Sequence, residues 1–152
     1  MSNINFKKLL IMILTVIAVS LSAVFSQISF GAGQVSDVQL LARAINGEAR
    51  GEPYEGQVAV GAVILNRVKN PSFPNTIAGV IYQPGAFTAV SDGQINVPID
   101  PKSTVVKAAQ DALNGWDPTY GCIYYWNPAT ATSKWIWSRK VVVKIGKHNF
   151  AK

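Results

Sequence analysis

The chain has 152 residues, which suits one domain and is short for two. It carries 14 Lys and Arg against 8 Asp and Glu, a formal charge of +6, so its composition favours an anionic partner. One cysteine and one histidine exclude a disulfide framework and make a His and Cys zinc site a poor expectation.

The N-terminus has the pattern of a secretory signal. Lys7 and Lys8 precede an apolar run that ends near Phe25, and such an order is typical of a segment removed after export. Because the run also reaches the length of a membrane-spanning helix, roughly 17 residues, an uncleaved anchor is the alternative. We therefore divide the chain into a signal over residues 1–32 and a domain over residues 33–152 that works outside the cytoplasm.

A first helix is predicted to start at Ser36. Ser36-Asp37-Val38-Gln39 has the form of a capping box, in which the serine accepts a backbone N–H and the glutamine reaches back. Apolar residues then recur at helical spacing and define one buried stripe: Val38, Leu41, Ala42 and Ile45. Glu48 lies three residues after Ile45 and continues this stripe.

Further helices are predicted over residues 57–68, around residues 76–82 and from Ser103 or Thr104 to Asn114. The first of these is apolar on nearly every side, which places it in the middle of the domain. The last directs five apolar side chains inward: Val105, Val106, Ala109, Ala112 and Leu113. Residues 83–101 show no period and are interpreted as a long loop, a kind of segment that often binds ligands.

Three short β-favouring runs follow, at residues 123–126, 134–137 and 141–145. Asn-Pro and Ser-Arg pairs separate them, which predicts a small antiparallel sheet. The expected fold class is therefore α+β, a mainly helical domain with a small antiparallel sheet.

The three glutamates of the chain all lie between positions 48 and 55, which is a site-like cluster. Glu48 is expected at a helix end beside the apolar central helix, and a carboxylic acid there can protonate a glycosidic oxygen. The alternative is that Glu48, Glu52 and Glu55 are solvated residues favoured by the helix dipole, which is the preferred interpretation for Glu55. Glu52 is expected to support the structure by pairing with an arginine: Arg43, Arg50 or Arg67.

Aromatic residues are dense in the predicted sheet: Tyr124, Tyr125, Trp126, Trp135 and Trp137. One face of a strand can stack on sugar rings while the other packs, although aromatic residues are more often core residues. After Asp117 the chain has six basic residues and no acid. This basic tail suits an anionic polymer, for which cell-wall glycan is favoured over nucleic acid, and a solvated basic face is the alternative.

A further hypothesis is that Cys122 and His148 are the nucleophile and base of an amidase. Cys122 enters an aromatic strand, where nothing lowers the pKa of a thiol. A buried cysteine and a surface histidine are therefore the plainer expectation.

Several blocks of sequence carry a family resemblance. They are LARAINGEARGEPYEGQVAV (41–60), VILNR (63–67), FTAVSDGQ (87–94), YYWNP (124–128), SKWIW (133–137) and IGKH (145–148). In this order they resemble the cell wall hydrolase domain of the spore cortex-lytic enzymes, the SleB and CwlJ type. The resemblance covers roughly residues 36–152 and is far more specific than one short motif.

The resemblance implies a lysozyme-like fold and a peptidoglycan lytic transglycosylase that acts on the spore cortex during germination. Glu48 falls on the family's catalytic glutamate, implied to act as acid and then as base in cleaving the bond between N-acetylmuramic acid and N-acetylglucosamine. The muramic 6-hydroxyl would attack and leave an anhydro sugar. Substrate contacts are expected from the long loop and the aromatic runs: Phe87, Ser91, Tyr125, Trp126 and Ser133.

Three alternatives stay open: a muramidase hydrolase that uses water, an N-acetylmuramoyl-L-alanine amidase, and a non-catalytic wall-binding module. No metal or organic cofactor is expected. The expected partner is peptidoglycan glycan strands, with an accessory germination protein as a further candidate, no nucleic acid, and a monomeric state. The expected location is outside the inner membrane, in the spore cortex or cell wall.

Overall fold

A computed structural model of the protein describes residues 35–152, and the predicted signal over residues 1–32 lies outside them. The described part contains five α-helices, two short 3-10 helices and one three-stranded sheet. The elements are α1 (Asp37–Ala49), α2 (Tyr54–Lys69), α3 (Ile77–Ile81), α4 (Thr88–Ser91), α5 (Thr104–Leu113), β1 (Tyr124–Trp126), β2 (Val141–Ile145) and β3 (His148–Ala151). The predicted α+β class is confirmed. Within residues 35–152, no helix has the length and apolar character needed to cross a membrane.

Helix α1 starts where the sequence predicts. The Ser36 Oγ accepts the Gln39 N–H at 3.3 Å and so satisfies one free donor of the first turn. The predicted stripe is buried at Leu41, Ala42 and Ile45. Helix α1 thereby brings Glu48, the next residue of the stripe, to the edge of the core.

Helix α2 forms the centre of the helical part, as its apolar composition predicts. It begins at Tyr54, three residues before the predicted start, because Pro53, with φ −52°, needs no N–H partner at a helix start. A Cβ at Gly61 would lie 3.0 Å from the Ile45 side chain and 3.2 Å from the Ala112 Cβ. This glycine therefore lets α1 and α5 pack closely against α2.

Helices α3 and α5 also lie where predicted, with one error in the core assignment. Thr76 caps α3, and Gly115 follows α5 with a φ of +102°. Leu113 was expected inward, yet it is 37% exposed, while Ala108 is fully buried and packs with Val58. The stripe of α5 is therefore rotated toward its alanines, because small side chains allow the close contact with α2.

The predicted long loop over residues 83–101 is wrong in part, because it contains α4 and a 3-10 helix over Gln94–Asn96. Segments of three and four residues are too short to show a period in the sequence. Helix α4 lies directly on α1, since a Cβ added at Gly47 would overlap the Ala89 side chain.

The sheet has the order β1-β3-β2, with β3 antiparallel to both neighbours. Strands β1 and β2 confirm two of the three predicted runs. The run at residues 134–137 is not a strand: Ile136–Ser138 forms a 3-10 helix in which Ile136 is buried between the exposed Trp135 and Trp137. The central strand β3 was missed, because its polar start at His148 and Asn149 hides the β pattern.

Candidate active site

Glu48 is held at both carboxylate oxygens. Its Oε1 accepts the Ala89 N–H at 3.2 Å, and its Oε2 accepts the Tyr125 hydroxyl at 3.2 Å. The donors come from α4 and β1, so the carboxyl group bridges the helical part and the sheet. Two neutral donors orient the group and leave each oxygen a further lone pair for a proton or a substrate.

The Ala89 N–H is available because of its position in α4. Ala89 lies in the first turn of this helix, where backbone donors have no partner within the helix. The donor reaches Glu48 because Gly47 has no side chain to keep α4 away from α1. The backbone of α4 thus supplies one of the two hydrogen bonds to the Glu48 carboxylate.

Tyr125, in β1, donates the other hydrogen bond to the Glu48 carboxylate. Burial, followed by the charge of Glu48, raises the pKa of Tyr125 well above its ordinary value. Its hydroxyl therefore keeps its proton throughout the neutral range and remains a donor to Glu48.

An open groove of about 490 Å³ lies beside this pair. It is lined by Arg67, Gly85, Ala86, Tyr124, Tyr125, Trp126, Thr130, Ala131, Thr132, Ser133, Trp135 and Ile136. The lining combines aromatic rings with hydroxyl groups, which suits sugar rings and their hydroxyls. Glu48 itself does not line the groove and connects to it through Tyr125.

Arg67 places a positive charge in the groove wall. Its Nε donates to the Ile123 carbonyl at 2.8 Å, and its guanidinium lies 5.4 Å and 5.6 Å from the ring centroids of Phe73 and Phe87. Burial lowers the pKa of Arg67 from its ordinary value, while Tyr125, Tyr124 and Glu48 favour the charged form. Arginine remains a cation in proteins, so Arg67 contributes one positive charge to the groove wall.

Glu52 and His148 form a pair behind Tyr125. Glu52 was expected to pair with an arginine, and this is wrong: its Oε2 accepts the Lys147 N–H at 2.8 Å and lies 3.9 Å from His148 Nδ1. His148 was expected at the surface, yet it is only 8% exposed. The pairing depends on the contact of the β2–β3 turn with the segment between α1 and α2, and no local sequence pattern predicts that contact. Glu55 is exposed in the first turn of α2, as predicted from the helix dipole.

The predicted substrate contacts divide into two groups. Tyr125, Trp126 and Ser133 all line the groove. Phe87 does not, because it is 3% exposed in the helical core beneath the Arg67 guanidinium. Ser91 does not either: it is exposed on α4, where its Oγ donates to the Thr88 carbonyl at 2.9 Å.

Residues that the sequence did not single out complete the site. The Ala89 N–H is a backbone group and leaves no sequence signal. Arg67 was considered only as a partner for Glu52, because a basic residue in the last turn of a helix is already explained by the helix dipole. Thr130 and Thr132 reach the groove from the segment after β1, which carried no motif.

The alternative nucleophile, Cys122, lies in the core. Cys122 is fully buried against Ala59, Val63 and Phe150, and burial raises the pKa of its thiol. A buried, protonated thiol is a poor nucleophile. Within residues 35–152 no group of three His, Cys, Asp or Glu side chains is arranged to hold a metal ion.

Comparison with known proteins shows the class of this domain. The family model described as cell wall hydrolase matches residues 51–151, starting just after Glu48. Because the match covers most of the chain, the chain belongs to the cell wall hydrolase family.

Relatives of this chain are spore proteins by name. The spore cortex-lytic enzyme of Bacillus cereus is 63% identical over 117 residues, which are 77% of this chain and 44% of that enzyme. The spore cortex-lytic enzyme of Bacillus subtilis (strain 168) is 60% identical over 115 residues, 76% of this chain and 37% of that enzyme. The chain thus spans less than half the length of these curated relatives.

A solved structure matches the described domain closely. It is the catalytic domain of the germination-specific lytic transglycosylase SleB from Bacillus anthracis, with 59% identity and a TM-score of 0.74. The match covers 80% of this chain and 98% of that domain.

Proposed function

We propose that this domain is a peptidoglycan lytic transglycosylase in which Glu48 acts as acid and then as base. The observation that carries the proposal is the carboxyl group of Glu48, oriented by the Ala89 N–H and the Tyr125 hydroxyl beside a groove suited to sugars. The residues that line this groove include no carboxylate, so none of them adds a second carboxyl group to Glu48. A reaction that needs one carboxyl group therefore suits the site best.

The proposed reaction needs only one carboxyl group because the nucleophile belongs to the substrate. Glu48 gives its proton to the glycosidic oxygen, and the bond from that oxygen to C1 of the muramyl sugar breaks. The 6-hydroxyl of the same sugar forms a bond to C1 and returns its proton to Glu48. A 1,6-anhydro ring replaces the glycosidic bond, and no water is consumed.

The neighbours of Glu48 support this cycle. Tyr125 stays protonated and can hold Oε2 while the other oxygen exchanges the proton. Arg67 places a cation in the wall of the neighbouring groove. The Bacillus anthracis relative is a lytic transglycosylase by name, which favours the same chemistry here.

The groove suggests how the glycan is held. Tyr124 and the half-exposed Trp135 contribute aromatic surface, although the Arg139 guanidinium lies over both rings, at 5.1 Å and 4.3 Å from their centroids. Ser133 and its neighbouring threonines offer hydroxyl groups. Trp126 is 6% exposed and forms the floor of the groove. We assign the sugar contacts to Tyr124, Tyr125, Trp126, Ser133 and Trp135, and no longer to Phe87 and Ser91.

We further propose that the substrate is spore cortex peptidoglycan, cleaved during germination, since the curated relatives are named spore cortex-lytic enzymes. The predicted signal over residues 1–32 would export the domain to that compartment. A monomer, with an accessory germination protein as a candidate partner, stays part of this proposal.

The experiment that tests the proposal is mass spectrometry of soluble fragments released from purified spore cortex. We expect anhydro-muramyl ends from the parent protein and at least about 10³-fold less product from Glu48→Gln. Glu55→Gln is the matched control, because Glu55 is an exposed glutamate seven positions away, and it should behave as the parent does. Full activity of Glu48→Gln would refute the role of this residue.

The chemical nature of the fragments separates the alternatives. Reducing ends would identify a muramidase hydrolase, and free stem peptides would identify an amidase. If neither the parent nor the variant released fragments while both bound cortex, the domain would be a wall-binding module.

A further inference from the structure

The Glu52 and His148 pair lies next to the proposed active site without lining the groove. Their side chains are 7% and 10% exposed, and 3.9 Å separate Glu52 Oε2 from His148 Nδ1. Within residues 35–152 this buried nitrogen has no hydrogen-bond partner. A buried polar atom without a hydrogen-bond partner costs stability, and at this nitrogen the Glu52 carboxylate is close enough to interact by charge.

Glu52 is fixed independently of the histidine. Its Oε2 accepts the Lys147 N–H in the β2–β3 turn. In that turn Gly146 has a φ of +58°, and a Cβ there would overlap the same carboxylate oxygen. On the other side, a Cβ at Gly56 would lie 3.0 Å from the Glu52 Cβ. The turn thus packs against the Glu52 carboxylate, and the start of α2 packs against the aliphatic part of the same side chain.

His148 connects this fixed carboxylate to Tyr125. Its ring meets the Tyr125 ring edge to face, with the centroids 5.4 Å apart and the planes at 88°. Phe150 packs on the Tyr125 ring as well, at 6.1 Å. A negative charge 3.9 Å from Nδ1 favours the tautomer with its proton on that nitrogen and the ring orientation that keeps Nδ1 toward the carboxylate.

We propose that Glu52 and His148 are positioning residues of the active site. The Glu52 carboxylate orients the His148 ring, and this ring holds Tyr125 in the orientation in which its hydroxyl donates to Glu48. The proposal rests on the proposed function of Glu48. It gives the Glu52 carboxylate a role in catalysis although it touches neither substrate nor Glu48.

Double variants test the proposal, because a positioning role requires the hydroxyl that is positioned. Tyr125→Phe should lower kcat about tenfold, the usual effect of losing one hydrogen bond to a charged group. Glu52→Gln and His148→Gln should each lower kcat about three- to tenfold, with KM on soluble cortex glycan fragments changed less than about twofold. When Glu52→Gln or His148→Gln is added to Tyr125→Phe, kcat should not fall further. Any change in Tm that Glu52→Gln or His148→Gln causes alone should persist in the double variant. Glu55→Gln is again the control and should match the parent.

Two outcomes would overturn the proposal. One is a kcat for Tyr125→Phe equal to that of the parent. The other is a further loss of kcat when Glu52→Gln is added to Tyr125→Phe, because the carboxylate would then act by another route. If His148→Gln does not fold, Glu52→Gln, which keeps the shape of the side chain, decides the question alone. Glu48→Gln separates this result from the proposed function, since only retained activity in that variant would remove the catalytic glutamate itself.

A spectroscopic measurement tests whether Glu52 acts on His148. The sequence contains one histidine, so the imidazole proton resonances of the protein belong to His148 without further assignment. The midpoint of their titration should fall in Glu52→Gln, because a negative charge beside the ring is lost. An unchanged midpoint would show that Glu52 does not act on His148 and would overturn the proposal.

Discussion

The two oxygens of Glu48 are held by two different parts of the molecule. On the helical side the donor is the backbone N–H of Ala89, placed by the contact of α4 with α1. On the sheet side the donor is the Tyr125 side chain, whose ring packs against the buried His148 ring. The Glu52 carboxylate lies 3.9 Å from His148 Nδ1. The first arrangement depends on the backbone alone, and the second depends on several side chains in series.

This difference determines how each side can fail. Of the substitutions at its own position only proline removes a backbone donor, so any other loss of the Ala89 N–H requires α4 to shift. The side-chain donor can be weakened in steps, through its hydroxyl, its neighbouring ring or the charge behind that ring. We therefore expect changes on the helical side to be severe and changes on the sheet side to be graded.

The largest effect is expected from Gly47→Ala. The new methyl group overlaps Ala89 and pushes α4 away from α1, which removes the backbone donor from Glu48. Activity should fall about 10²-fold, and the free energy of unfolding should fall by about 1–3 kcal/mol. Gly51→Ala is the matched control, because a Cβ at Gly51 meets nothing within 4 Å. Turbidity loss of cortex and urea unfolding measure both effects, and equal activity of the two variants would contradict the account of the helical side.

A smaller effect is expected at the groove. Trp135 and Trp137 are 50% and 51% exposed, but only Trp135 lines the groove. Trp135→Ala should raise KM about three- to tenfold, as expected for the loss of one stacked aromatic ring. Trp137→Ala should change KM less than about twofold. Steady-state kinetics on soluble glycan fragments would measure both KM values. Equal effects of the two substitutions on KM would contradict the assignment of the sugar contacts to the groove.

The smallest effect is expected from pH, through His148 alone. Burial, with a further contribution from Lys147, lowers the pKa of His148 below its ordinary value, while Glu52 and Glu48 act in the opposite direction. The unfolded chain therefore binds this proton at a higher pH than the folded chain does. Stability should fall as the pH falls from about 6.5 toward the lower pKa of the folded state.

Urea unfolding at about pH 7.5 and about pH 5.5 tests this sign. The His148→Gln variant should lose less stability than the parent over that interval, because it has no imidazole to titrate. A loss equal to that of the parent would assign the pH dependence to the carboxyl groups instead.

The sequence predicts the helical part better than the sheet, for physical reasons. Helix α1 has a cap at Ser36 and an apolar period, and both signals are local in the chain. The central strand β3 has no such pattern, because its position depends on pairing with β1, which ends more than 20 residues earlier. The segment around Ile136 was assigned as a strand from its composition, yet Ile136–Ser138 is a 3-10 helix and both flanking tryptophans are half-exposed.

The candidate site was predictable where a side chain has a motif around it. Glu48 was identified from its place on the α1 stripe and from the family resemblance. Tyr125 was assigned to the substrate, whereas the structure also joins it to Glu48. The link between Glu52 and His148 could not be foreseen, because 96 positions separate the two residues and only the β2–β3 turn brings them together.

The buried Cys122 has a practical consequence for work on this protein. It is the one thiol in the sequence, and the folded domain leaves none of it exposed. The domain therefore needs no oxidant to reach its native state and should fold equally in reducing and oxidising media. A cysteine introduced on the rim of the groove, for example at Thr132, would be the single reactive thiol, so a fluorescent label placed there would report glycan binding directly.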